Sequence, residues 1–416
     1  MLKQMSLITA ATRVVERLQE AGHIAYFAGG WVRDHLMDHP SDDIDIATSA
    51  STEEVEALFK KTVPVGVAFG IIIVLEGGHQ FEVATFRKDR GYMDGRRPSG
   101  IDPATPEEDA ERRDFTINGL FYDPLSETLY DFVGGTEDIK RGAIRAIGDP
   151  SARFAEDRLR MMRAVRYSTR FNFPIEEETE AAIRAHASEL LPAVAMERVW
   201  QEFKKMSRFA HFDTGLIMLH DLGLLATIFP DLKGVTLTEI ARRVQHIESF
   251  PKGAPTFGEL LELFPDYALE EIVDLSEYLK LSNKEKDFST FYHHARALFN
   301  LPEPWHLEKI EWAEFYASPH AEICLGMIAA HYPTAERATF LKKHVLQRES
   351  LKDPIERLRN QNPYLSASDL IAEGVKPGKA MGELLALAMR IAVNETIHDK
   401  STLLALLKKS TLWKTP

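Results

Sequence analysis

The stretch FAGGWVRDHLMDHPSDDIDIATSA, Phe27 to Ala50, decides the fold of the N-terminal part of this chain. It reads as a strand, a glycine turn at Gly29–Gly30, a short helix, and a second strand carrying Asp43 and Asp45. Side chains alternate along a strand, so residues two apart share a face. Asp43 and Asp45 are therefore expected to point at one spot, with Ile44 and Ile46 on the other face. Two convergent carboxylates suit a pair of divalent cations in a phosphoryl-transfer site. Gly29 and Gly30 precede a helix N-terminus, where free N–H groups and the helix dipole favour phosphate. Arg33, in that helix's first turn, is placed to reach the same anion. Alone, an Asp-x-Asp or a Gly-Gly is commonly a solvated turn. Glycines, a basic helix start and an alternating acidic strand occur here in the order a metal–triphosphate site needs.

Three further segments extend this reading. QFEVATFR, Gln80 to Arg87, is an expected strand whose Glu82 offers a third carboxylate. RKDRGYMDGRRP, Arg87 to Pro98, is polar, bears glycine and has neither a helical nor a strand period, so it reads as a mobile loop. RRDFTINGL, Arg112 to Leu120, brings Arg113, Asp114 and Asn118 close together. Arginine holds phosphate in fork geometry, and Asp and Asn side chains suit ribose hydroxyls.

AEDRLRMMRAVR, Ala155 to Arg166, reads as one helix. Leu159, Met162 and Val165 form its apolar stripe, while Asp157, Arg160, Arg163 and Arg166 recur every third residue and wind slowly round it. Adenine and cytosine each present an amino donor beside a ring-nitrogen acceptor; guanine and uracil present the reverse. A carboxylate beside a guanidinium offers acceptor then donor. Asp157 with Arg160 is therefore expected to pair with A and C. A wrong base would leave buried polar groups unpaired, at about 1–3 kcal/mol each.

At 416 residues, with 44% hydrophobic and 27% charged side chains, the chain has the size of two to four globular domains. One cysteine, Cys324, excludes an internal disulfide and a cysteine-based zinc site, and suits a reducing cytoplasm. No segment reaches the length of a membrane span, and Leu7–Ala11 is too short for the apolar core of a signal peptide. Val14, Val15 and Leu18 indicate an amphipathic helix instead. The net charge of −13 argues against general nucleic-acid affinity. Ile139–Arg170, however, holds nine Lys/Arg against three Asp/Glu, a local excess of six positive charges.

Texture divides the chain. Expected strands are Ile24–Ala28, Ile44–Thr48, Gly70–Leu75, Gln80–Phe86, Ile117–Tyr122 and Thr128–Phe132, with Gly77–Gly78 as a hairpin turn. After Asp149 the pattern is helical almost to the end, broken near Pro192, Pro230, Pro251–Pro255, Pro302–Pro304 and Pro363. His220-Asp221 reads as a helix-end feature, and His293-His294 lacks a carboxylate set; neither is taken as a metal site.

GGWVRD with DIDIAT, RRDFTINGL and EDRLRMMRAVRY together resemble the motifs of the class II tRNA nucleotidyltransferase and bacterial poly(A) polymerase family. LHDLGLLATIFPDL, from Leu219, and LIAEGVKPGKAMGELL, from Leu370, are similar to that family's neck end and tail. The resemblance implies an α+β chain. A polymerase-β-type nucleotidyltransferase head with a mixed β-sheet is expected at 1–149. An all-α neck with the base-reading helix would follow at 150–230, and an all-α body and tail that binds RNA at 231–416. It implies two Mg²⁺ ions on Asp43 and Asp45, with Glu82 as a possible third carboxylate. It places Gly30, Arg33 and Arg113 on the nucleotide, and Asp114 and Asn118 near its ribose. Asp157 and Arg160 fall at the base edge, with Arg163 and Arg166 nearby. The implied activity is template-independent addition of C and A to a tRNA 3′ end from CTP and ATP. Within the family an A-adding enzyme and a poly(A) polymerase are the alternatives; a catalytically silent RNA-binding protein is countered by the presence of both Asp43 and Asp45. Arg87–Pro98 matches the loop used in switching from C to A. Gly119 departs from the family's usual alanine.

Overall fold

The protein is described here by a computed structural model covering residues 5–66, 69–92, 98–300 and 306–413. The chain forms two compact units, 1–242 and 243–416.

The first unit is built on a seven-stranded mixed sheet. Its strands are β1 (Ala25–Ala28), β2 (Asp45–Thr48), β3 (Thr62–Gly66), β4 (Ile71–Glu76), β5 (His79–Thr85), β8 (Leu120–Asp123) and β9 (Thr128–Asp131). Their spatial order is β3-β4-β5-β2-β1-β8-β9. Only β2 and β5 run parallel, with Ile46 opposite Val83; the other neighbours are antiparallel. Gly77 and Gly78 both have positive φ and close the β4–β5 hairpin, a backbone that residues with a Cβ rarely adopt.

Alternation along the strands separates the two faces of the sheet. Phe27, Ile46, Val83, Ile72 and Val74 point to one side. There they bury Val14, Val15 and Leu18 of the helix Leu7–Glu20, together with Val55 and Phe59. The opposite face carries a smaller group: Ala28, Ala47, Phe86, Ala110 and Phe121. Its alanines leave space above the sheet, and that space is where the site lies.

Several expected elements differ. Asp43 precedes β2 rather than lying in it, since the strand begins at Asp45. Ile117 belongs to a single 3-10 turn, Thr116–Asn118, which ends just before β8, and β9 stops at Asp131, ahead of Phe132. β3 was not expected: TVPVG contains proline, and Pro64 is tolerated because β3 is the sheet's edge, next to a bulge. The segment Arg87–Pro98 is not all loop. β6 (Arg87–Tyr92) and β7 (Pro98–Pro103) pair as an antiparallel ribbon, in which Arg90 Nε donates to Asp102 Oδ2 at 2.7 Å. The middle of the expected loop, 93–97, lies outside the described residues, as do Pro302 and Pro304 of an expected helix break.

Beyond β9 the unit is helical. The helices Pro150–Glu156, Arg160–Phe171, Glu177–His186, Met196–Met206 and Phe212–Asp221 follow in turn. Asp149 caps the first of them, accepting from the N–H groups of Ser151 and Ala152. The helix Arg160–Phe171 buries Met161, Met162, Ala164 and Val165. The second unit is all helix among its described residues and has its own core, including Phe257, Tyr292, Trp312 and Tyr316. No helix among the described residues is long and apolar enough to cross a membrane.

Candidate active site

A cleft of about 810 Å³ opens on the alanine face of the sheet. Its acidic side holds Asp45 and Glu82. The parallel register pairs Ile46 with Val83, and one step back along it sets Asp45 beside Glu82. Asp45 is reached by solvent yet hemmed in by protein, because it stands on the cleft floor. Burial raises its pKa to about 6, with the charges of Asp43 and Glu82 adding to the rise and Arg113 opposing it. Among the described residues no hydrogen bond or ion pair engages the side chain of Asp43 or Asp45. No set of three or more His, Cys, Asp or Glu side chains among those residues converges into a cage for a metal ion. This donor set fits Mg²⁺, which typically takes one or two carboxylates and completes its shell with waters and substrate phosphates. The uncompensated repulsion at Asp45 is what a cation would relieve.

The glycine turn joins this acidic side to the basic one. Gly29 has φ +64°, and a Cβ there would stand 2.9 Å from Arg113 Nη1. The backbone thus requires glycine, and a side chain there would also displace the Arg113 guanidinium. Gly30 opens the helix Gly30–Leu36, and Arg33 follows one turn later. Arg33 is buried. Its Nε and Nη2 donate to Asp34 Oδ1 at 2.9 and 2.7 Å, its Nη1 donates to Asn118 Oδ1, and its guanidinium lies against the rings of Tyr167 and Phe171. Asp34 is held in turn by Arg170 at 2.9 Å. Arg33 is therefore a brace in the cleft wall as much as a cleft-lining cation.

Asn118 is the node of that wall. Its amide nitrogen donates to Asp114 Oδ1 at 2.9 Å, its side-chain oxygen accepts from Arg33, and its backbone oxygen accepts from Arg113 at 3.3 Å. Asp114 also accepts from the Phe115 N–H and from Arg163, whose Nε lies 2.7 Å from Oδ2. Burial alone would raise the Asp114 pKa. The Arg163 guanidinium, Asn118 and Arg160 overcome it and hold the carboxyl well below the usual carboxylate range.

Asp109 was missed in the sequence. It is 1% exposed. Oδ1 takes Nε and Nη2 of Arg112 at 2.9 and 2.7 Å, and Oδ2 takes Nε and Nη2 of Arg113 at 3.2 and 3.0 Å. Burial pushes its pKa up, but the two guanidiniums outweigh that and keep it low. Its Oδ1 also accepts from the Arg87 N–H at 3.2 Å, at the root of the β6–β7 ribbon. Among the described residues, two of the five guanidinium N–H groups of Arg113 remain open.

The expected single helix from Ala155 to Arg166 is two helices with a break. Asp157 ends the helix Pro150–Glu156 in extended backbone, and the next helix begins at Arg160. Asp157 and Arg160 both line the cleft, and the Arg160 N–H donates to the Asp157 carbonyl at 3.0 Å, but their side chains do not pair with each other among the described residues. Asp157 is held by Arg198 from the helix Met196–Met206, at 2.8 and 3.3 Å. Arg160 donates to Glu156 Oε2 at 2.6 Å and to the backbone oxygens of Arg153 and Arg112, each at 3.1 Å. Arg163 lines the cleft; Arg166 does not, because it is buried against Glu202 at 2.6 Å. An arginine every third residue cannot keep one face on a helix of 3.6 residues per turn, so Arg166 has rotated into the protein. His220 Nε2 bonds to the Val235 carbonyl at 2.7 Å, a helix-end contact as expected.

A mixed sheet that sets paired carboxylates across a cleft from an arginine wall defines a nucleotidyltransferase head. Residues 25–145 match the family model described as "Poly A polymerase head domain", and 172–235 match "Probable RNA and SrmB- binding site of polymerase A". The chain is 44% identical over 401 residues to the CCA-adding enzyme of Lactobacillus helveticus (strain DPC 4571), covering 94% of each. It is 34% identical over 407 residues to that of Ligilactobacillus salivarius (strain UCC118), covering 96% of each. Its fold is similar to the crystal structure of the Bacillus stearothermophilus CCA-adding enzyme in complex with CTP. There the TM-score is 0.81 and the identity 29%, over 97% of this chain and 98% of that one. The chain belongs to the family of CCA-adding enzymes, tRNA nucleotidyltransferases related to bacterial poly(A) polymerases.

Gly119, the family departure, has a local reason. A Cβ there would lie 2.6 Å from Val133 Cγ2 and 3.3 Å from Ile147 Cδ1. The departure is one of packing behind the wall, not of chemistry in the cleft.

Proposed function

We propose that this chain adds C and A to the 3′ end of tRNA, building and repairing CCA from CTP and ATP with release of pyrophosphate. The observation that carries this reading is one cleft that places Asp45 and Glu82 opposite Arg113, Arg160, Arg163 and Asp157. Full-length likeness to relatives named CCA-adding enzymes supports it, as does a CTP complex of similar fold.

In this reading Asp43 and Asp45 hold two Mg²⁺ ions, with Glu82 completing the acidic set. When bound, these ions supply positive charge for the attacking 3′-hydroxyl and the departing pyrophosphate. Gly30 leaves the backbone open to the phosphates. Arg113 offers them its two open N–H groups, and Arg33 braces the wall behind. Asp114 and Asn118 stand near the ribose. All four acceptor positions of Asp114 are already taken, so its part is to hold Asn118 and Arg163 in place. Asp157 and Arg160 read the base edge, with Arg163 and Arg166 behind them. Residues 1–149 act as the head, 150–230 as the neck and 231–416 as the RNA-binding body and tail. Cys324, a buried free thiol, suits a reducing cytoplasm.

The test uses purified protein with three RNAs: tRNA ending at the discriminator base, tRNA ending in CC, and oligo(A), each with single nucleotides and Mg²⁺. C addition to the first and A addition to the second are expected. Extension of oligo(A) without any C addition would place the chain with the poly(A) polymerases.

A further inference from the structure

The base-reading role proposed for Asp157 leaves open what aims its carboxylate. Asp157 lies between two helices, with φ −146° and ψ 105°, so no helical turn fixes its side chain. Arg160, the partner expected from the motif, is occupied by Glu156 and two carbonyls. The residue that does grip Asp157 comes from 41 positions away, in a helix outside every motif read in the sequence.

Arg198 forks onto both carboxylate oxygens. Nη2 lies 2.8 Å from Oδ2 and Nη1 3.3 Å from Oδ1. The Leu159 N–H also donates to Oδ1, at 3.1 Å. An ionised carboxylate has about four acceptor positions. Among the described residues, Oδ1 has both of its positions taken and Oδ2 has one taken, so a single acceptor position remains, on Oδ2. That matches one amino donor, the group that distinguishes cytosine from uracil. Both side chains line the cleft and are about three-quarters or more buried, at 24% exposure for Arg198 and 17% for Asp157. A two-pronged arginine–carboxylate pair in such a place fixes orientation as well as charge.

We infer that Arg198 is a specificity-determining positioning residue: it holds Asp157 so that one acceptor is presented to the amino group of C or A. The inference rests on the base-reading role of Asp157. Arg198 itself need not touch the nucleotide.

The experiment measures kcat/KM for CTP, ATP, UTP and GTP in wild type, Arg198→Met, Arg198→Lys, Asp157→Ala and the double variant Asp157→Ala/Arg198→Met. Substrates are tRNA ending at the discriminator base and tRNA ending in CC, and thermal unfolding checks that each variant folds. Arg198→Met is expected to lower the CTP:UTP ratio roughly tenfold or more, the worth of one hydrogen bond to a charged group. Arg198→Lys keeps the charge without the fork and should restore part of the ratio. The double variant should be no less selective than Asp157→Ala alone, because both changes remove the same presented acceptor. If Asp157→Ala lowers the ratio while Arg198→Met slows all four nucleotides equally, Arg198 is only structural and the inference falls while base reading stands. If Asp157→Ala leaves the ratio unchanged, the base-reading role falls and the inference with it.

Discussion

Asp114 and Arg163, 49 residues apart in sequence, meet in a two-pronged ion pair at the cleft wall, with Nε 2.7 Å from Oδ2. The pair joins the turn that carries Asn118 to the helix that carries Arg160. Removing one partner leaves the other charge poorly compensated. Asp114→Ala is therefore expected to cost about 3 kcal/mol of folding stability, the lower end for a broken buried pair, because Arg163 keeps some contact with solvent. Asp114→Asn, which retains the bonds to Phe115 and Asn118, should cost less. Urea unfolding measures both. A loss under about 0.5 kcal/mol for Asp114→Ala, the scale of an ordinary surface change, would show that the pair is not structural.

The carboxylates on the opposite side predict a pH effect of definite sign. The Asp45 pKa is raised from 3.8 to about 6 in the folded protein, by burial and then by Asp43 and Glu82. Between those values the folded state binds more protons than the unfolded one, so stability falls as pH rises through the window. The cost is full above about pH 6. Asp45→Asn should therefore stabilise the nucleotide-free protein at pH 7, by at most about 1 kcal/mol once solvent screening of this accessible group is counted. The gain should vanish near pH 4. The same variant, and likewise Asp43→Ala, should abolish nucleotide incorporation while circular dichroism stays native. Wild-type turnover in either folded variant would sink the metal assignment.

Behind the wall, Gly119 predicts a packing conflict. An added methyl would press on Val133 at 2.6 Å. Gly119→Ala should cost about 1–3 kcal/mol, as overpacking does. Val133→Ala in the same chain should return part of it by vacating the contact. Thermal unfolding of the two single variants and the double one decides this. Additive losses would show that the two sites do not share the strain.

The limits of the sequence reading have physical causes. Asp45 faces the cleft while Ile46 faces the core, and Gly77–Gly78 needs a positive φ, so alternation and turn chemistry reveal them. Asp109 sits in PEEDAERRD, which looks like any solvated acidic helix start; that it turns inward to hold Arg112 and Arg113 is a tertiary fact. The break at Asp157 is equally silent, since a spacing of three suits a helix or a cap. Arg198 carries no signal at all until the helix Met196–Met206 packs beside the cleft. The β6–β7 ribbon escaped because RKDRGY has no apolar alternation; it is held by backbone pairing and the Arg90–Asp102 pair.

That ribbon leads to the last prediction. Cytosine and adenine offer the same amino-acceptor edge but differ in size, so one pocket takes both only if it is resized between additions. Resizing needs an element attached to the nucleotide wall and yet free of the core. The ribbon meets the first condition through the Arg87 N–H on Asp109, which also holds Arg112 and Arg113, and through Lys88 on Glu108 at 3.1 Å. It meets the second away from its root: it pairs as its own two-stranded sheet, and its ties to the seven-stranded one lie at the root, where Arg87 Nη1 donates to the Phe69 carbonyl and the Ala104 N–H to the Phe86 carbonyl at 3.0 Å. Deleting Gly91 to Arg96 takes out the last two residues of β6 and the four that follow, while sparing the ties to Asp109 and Glu108. C addition to tRNA ending at the discriminator base should survive within a few fold. A addition to tRNA ending in CC should fall by about a hundredfold or more, as when a closing element that assembles the site is lost. Single-nucleotide primer extension on the two tRNAs reads both steps separately. Equal loss of both would mean that the ribbon supports the fold of the head rather than the change from C to A.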